Sequence, residues 1–198
     1  MKRFKCVLLL FSFMGLMLVG CSDQSQSPVS PKEPVSLEKN NNKIEYTINS
    51  VPFLLDPSIA PAYMNIAGRT IHLKDFPVID NVTSSDPRLT GKMEHQLTVK
   101  LDLITGEGPC NGKWTLTPDD LTSTGGGIWE GTYEGFRSKT DDPFVFSLPL
   151  KMVAHGKGGT IDGWQGFTEA YLILYTAPGT YQLPYSWTAT GNGVMIMH

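Results

Sequence analysis

A single histidine raises the question of chemistry first. His95 stands in "MEHQLTVKLDL", on a face otherwise formed by Met93, Leu97, Val99, Leu101 and Leu103. An imidazole on an apolar face is a core histidine held by one hydrogen bond or, where that face lines a cavity, a proton-transfer group inside it. The residues alone favour the core histidine. His72, His155 and His198 show no His-x-x-x-His or Cys-His pairing with it, and the doublets Asp119-Asp120 and Asp141-Asp142 lack the Asp-x-Asp-x-Asp-Gly loop of calcium sites. Neither a metal nor a cofactor is expected.

Other nucleophiles and bases fare no better. Glu130 and Glu134 are four strand residues apart on one face, roughly 13 Å, too long for a glycosidase pair, and they read as solvated. Cys110 lies in "GEGPCNGKW", read as a glycine-rich turn with only Lys113 as a positive neighbour, so it is expected to be a bystander thiol. "HGKGGT" at 155–160 lacks the spacing of a phosphate loop and reads as a hairpin or bulge turn, and no Gly-x-Ser-x-Gly elbow is present. No catalytic residue is therefore assigned. The aromatics Trp129, Tyr133, Trp164, Phe167 and Tyr171 are core fillers by base rate, though some can line a cavity or stack on a glycan. The candidate ligand-binding residues are His95, Trp129, Tyr133 and Trp164.

Strands must position these groups. The period of two in "MEHQLTVKLDL" recurs in "FVFSLPLKMVA", where Phe144, Phe146, Leu148, Leu150 and Met152 share a side. Pro149 falls on the other side and predicts an edge position or a bulge. "GIWEGTYEG" and "DGWQGFTEAYLILY" alternate glycine with aromatics, which permits sharp bending and close approach. Turn signals separate these runs, and no amphipathic helix of three turns follows residue 43. The pattern predicts an all-β domain: an antiparallel barrel of about eight strands or, alternatively, a β-sandwich. Residues 51–87 carry five prolines and predict a short strand at "GRTIHL" within a long loop or lid over the barrel.

The amino terminus says where the chain goes. Lys2, Arg3 and Lys5 precede an apolar run from Cys6 to Val19, about 21 Å as a helix and short of the roughly 30 Å of a membrane span. Leu18-Val19-Gly20-Cys21 resembles the lipobox of bacterial lipoproteins, which implies lipid attachment at Cys21, with acyl chains such as palmitate anchoring the protein. Residues 1–20 are then the signal peptide, 21–43 the lipidated cysteine with a Ser/Pro/Asn-rich flexible linker, and 44–198 a single domain. Ser22 after the cysteine favours the outer over the inner membrane in a Gram-negative envelope. Losing the leader leaves thirteen Lys and Arg against nineteen Asp and Glu, about −6, with no basic run for nucleic acid.

The succession "GRTIHLKD", "PRLTGKMEHQLTVKLDLITGEG", "NGKWTL", "GGGIWEGTYEG" and "VAHGKGGTIDGWQGFTEAYL" resembles secreted bacterial barrels similar to the allene oxide cyclase and dirigent proteins. That resemblance implies a calycin-like antiparallel barrel with an apolar cavity, and it assigns no catalytic residue here. The leading expectation is a membrane-tethered barrel that binds a small apolar or amphipathic ligand without catalysis. A structural or interaction module with an envelope protein partner is one alternative, and a cyclase or isomerase of a lipid-derived substrate is the other.

Overall fold

The computed structural model describes residues 42–54, 56–178 and 183–198. Cys21, the leader and the linker lie outside these residues. Nine antiparallel strands follow one another: β1 (Lys43–Leu54), β2 (Met64–Ala67), β3 (Thr70–Ser84), β4 (Gly91–Asp102), β5 (Gly108–Pro118), β6 (Ile128–Lys139), β7 (Val145–Lys157), β8 (Gln165–Thr176) and β9 (Pro184–Ile196). From β3 to β9 each strand pairs with the next, and β1 pairs with both β9 and β3. The result is a closed eight-stranded barrel, with β2 as one additional strand on β3. Among the described residues the only helical elements are short 3-10 turns. The sandwich alternative is thereby excluded.

Alternation dictates the interior. Along β7, Phe146, Leu148, Leu150, Met152 and Ala154 point inward and are buried, while Pro149 and Lys151 face solvent. The glycine and aromatic residues meet as cross-strand partners. Gly131 opposes Trp114, Gly112 opposes Tyr133 and Gly193 opposes Tyr46. A Cβ on Gly131 would come within 2.5 Å of Trp114 Cζ2, so each large ring fills space that only glycine leaves open on the neighbouring strand.

Several sequence expectations are corrected here. Residues 51–87 do not form a long loop, because β3 is the longest strand at fifteen residues and β1 extends to Leu54. A bulge makes this possible. Leu73 pairs with Val99 but Phe76 with Leu97, so Lys74-Asp75 supply one extra residue, with Asp75 at φ 54° and its N–H donating to Thr98 Oγ1 at 3.1 Å. Inward positions change from Ile71 and Leu73 to Phe76, Val78, Asp80 and Val82. Pro77 falls between the β2 and β1 pairings, where β3 has a partner on one side only among the described residues, a place that tolerates proline.

The expected lid is reduced to a 3-10 turn, Pro57–Tyr63, which lies against this stretch of β3. Ala60 is buried in the core, and the Tyr63 ring meets Phe76 edge-on at 5.7 Å. Pro149 is neither at an edge nor at a bulge. β7 is paired on both sides, and the β6–β7 ladder skips the stretch opposite Pro149 between Gly135↔Leu150 and Ser138↔Ser147 without changing register. A closed barrel has no edge to offer, so a local gap absorbs the missing donor. Cys110 lies in strand β5 rather than in a turn, because the turn ends before Gly108.

Candidate functional site

The barrel interior is incompletely filled. A cavity remains in which the centre of a water-sized sphere ranges over about 80 Å³, several times the roughly 10–15 Å³ that one water needs on this measure. Most of its wall is apolar, from residues such as Leu73, Phe76, Leu148, Leu150, Met152 and Leu172. Ala60 of the 3-10 turn, with Leu183 and Pro184 at the start of β9, completes it where β1 has parted from β9.

Into this apolar wall the strands insert a small polar set. The bulge in β3 aims Asp80 inward, where it is 3 % exposed. Its Oδ2 accepts hydrogen bonds from Ser50 Oγ at 2.8 Å and from Trp187 Nε1 at 3.2 Å. His95 Nε2 stands 3.2 Å from the same oxygen, a distance suited to an ion pair, although its N–H is not aligned for a hydrogen bond. On the other side of the imidazole, Nδ1 is 3.4 Å from the Tyr133 hydroxyl, and the two rings meet edge-on. Asp80, His95 and Tyr133 thus form a chain along the wall, with Asp80 Oδ1 buried and without a partner. Burial is the main cause that raises the Tyr133 phenol well above its ordinary value, so its hydroxyl keeps its proton at neutral pH.

Further along β6, at the next inward position beyond Gly135, lies Arg137, 2 % exposed. Its Cζ sits 3.7 Å from the centre of the Phe146 ring, while Nε and Nη2 are buried without a hydrogen-bond partner. Arg137 makes no ion pair among the described residues. Burial lowers its pKa to about 10, which leaves it charged at pH 7. Cys110 lies near enough to feel that charge, but burial pushes its thiol up to about 12, so no thiolate balances the guanidinium. The bystander reading placed only Lys113 near this thiol, whereas the fold brings Arg137 to it.

Of the four residues proposed to line a ligand site, the structure brings His95 and Tyr133 together at the cavity. Trp129 and Trp164 are not among its lining residues. Trp129 is fully buried toward the other end of β6 from Arg137, opposite Gly156 of β7, and its Nε1 donates to Arg88 O at 2.9 Å. There Arg88, held by Asp86, lies 4.9 Å over the Trp164 ring. These tryptophans form the packed floor of the barrel. Glu130 and Glu134 are exposed on the outer wall. Among the described residues no group of three or more His, Cys, Asp or Glu is placed to hold a metal ion.

Sequence reasoning missed Asp80, Arg137, Ser50 and Trp187. A signal existed for one of them, because Arg137 continues the Trp129-Gly131-Tyr133-Gly135 alternation by two residues. Comparison of the chain with protein-family models, with curated proteins and with solved structures finds no match.

Proposed function

We propose that this barrel takes up a small amphipathic molecule in its cavity and does so as a lipid-anchored protein of the bacterial cell envelope. The observation that carries the reading is a buried apolar chamber with Asp80, His95, Tyr133 and Arg137 in its wall. A protein that needed the barrel only as a scaffold would gain stability by filling that space and removing those groups. An apolar body with a few polar groups is what such a chamber selects. The lipobox-like Leu18-Val19-Gly20-Cys21 supports the location by placing the barrel beside a source of amphiphiles. Outer-membrane attachment is the preferred form in a Gram-negative cell.

The test is retention. The full chain, exposed to an extract of envelope lipids and examined by native mass spectrometry, should carry a discrete adduct that unfolding releases. A clean protein mass would remove the ligand reading and favour an interaction module with an envelope partner. For the anchor, Cys21→Ala should move the protein out of the membrane fraction; persistence there with unchanged lipid labelling would refute it.

One observation favours a second reading. Asp80, His95 and Tyr133 are in series, so an imidazole beside a carboxylate and a phenol that keeps its proton both line the chamber. Proton transfer on a bound lipid-derived molecule, as in a cyclase or isomerase, is the chemistry that this set can support. If it operates, the wild type releases an isomer of what His95→Gln retains.

A further inference from the structure

Arg137 is the group that the fold treats worst. A guanidinium taken out of water is costly unless paired, and buried arginines are normally held by carboxylates. Here two of its three nitrogens, Nε and Nη2, are buried with no acceptor, in a chamber without a second Arg or any Lys in its wall. Asp80 does not take that role: its Oδ2 is engaged by Ser50 and Trp187 beside His95, and although its Oδ1 has no partner, no ion pair joins either oxygen to Arg137. The nearby thiol is neutral. Phe146 covers the flat face of the guanidinium, so the fork edge is what remains for a partner.

We propose that the ligand of this cavity is an amphipathic monocarboxylate whose carboxylate pairs with Arg137 and whose apolar body occupies the chamber. The proposal rests on the cavity reading above and narrows it to one chemical class. Nε and Nη2 together present the planar two-donor edge that a carboxylate accepts in bidentate fashion. One guanidinium neutralises one negative charge. A phosphate monoester would bring a second into the same apolar chamber with no lysine or further arginine to meet it.

The probes are octanoate, octan-1-ol and octyl phosphate, titrated by calorimetry into the full chain. Octanoate is expected to bind at least tenfold more tightly than octan-1-ol, and Arg137→Met should abolish that preference while keeping octan-1-ol binding. Arg137→Lys keeps the charge without the fork and should retain part of it. The wild-type comparison needs no variant, so a substitution that fails to fold leaves the proposal testable. Equal binding of octanoate and octan-1-ol overturns the carboxylate proposal and leaves the cavity reading intact. Tighter binding of octyl phosphate overturns the choice of head group. Binding of none of the three overturns the proposal and the cavity reading together.

Discussion

Replacing Arg137 by methionine separates a ligand-binding arginine from a structural one, because the two roles give stability changes of opposite sign. Burial lowers the pKa of Arg137 from its ordinary value to about 10. At 1.36 kcal/mol per unit, holding the charge inside the fold costs on the order of 3 kcal/mol. The Phe146 face at 3.7 Å offsets about 1–2 kcal/mol of that. Methionine retains an unbranched apolar stem of similar reach, so little packing is lost. The ligand-free Arg137→Met protein is therefore expected to be more stable than the wild type by about 1–2 kcal/mol. The sign with pH follows from the depressed pKa of a base. Below pH 10 the folded chain carries the penalty in full; above it Arg137 sheds its proton in the fold while the unfolded chain still keeps one, so the advantage of the variant shrinks. Urea unfolding at pH 7 and at pH 11, with the slope m unchanged, measures both effects. A loss of more than 1 kcal/mol at pH 7 would mean that Arg137 holds the barrel together, and the reasoning would fail.

Three further outcomes follow from the geometry. Asp80→Ala strands the Ser50 hydroxyl and the Trp187 N–H in the barrel, and at about 1–3 kcal/mol per unsatisfied group the loss should reach about 2–5 kcal/mol in urea unfolding, with Asp80→Asn losing less. A loss below 1 kcal/mol would show that the cluster is not formed. The Cys110 thiol, raised from 9.0 to about 12, should resist disulfide reagents at pH 8 until the protein is unfolded. Because the unfolded chain ionises first, stability should fall between pH 9 and 12 by up to about 1.4 kcal/mol per pH unit, and Cys110→Ala should flatten that slope. Gly131→Ala drives a methyl group against the Val153 carbonyl oxygen and to 2.5 Å from Trp114 Cζ2, and should cost more than about 1 kcal/mol in thermal unfolding; a neutral result would deny the close approach of both to that glycine.

The sequence made β4 and β7 legible by their apolar alternation and β6 and β8 by their glycine and aromatic residues, and it put His95 on the apolar face of β4. Asp80 was hidden by the Lys74-Asp75 bulge, since a strict period of two carried on from Ile71 and Leu73 would turn Asp80 outward. Five prolines in 51–87 concealed β3 for the same reason, as nothing local announces that Pro77 falls opposite an unpaired stretch. β9 went unread because Gly191 and Gly193 weaken its pattern, and the Tyr46 ring that covers Gly193 comes from β1, nearly 150 residues earlier. Trp129 and Trp164 show a different limit. Alternation tells which face a residue occupies and says nothing of its height along the barrel, so aromatic residues of the floor and of the chamber look alike.

Methionines give the barrel internal reporters at both heights. Met93 and Met152 line the chamber, whereas Met195 is fully buried but is not among the lining residues. With the methionine methyl groups labelled in the full chain, titration with octanoate, and with octan-1-ol as the uncharged control, should shift the Met93 and Met152 resonances and leave Met195 in place. Resonances of Met93 and Met152 that stay fixed at saturating concentrations of both compounds would contradict the claim that this barrel holds a ligand inside.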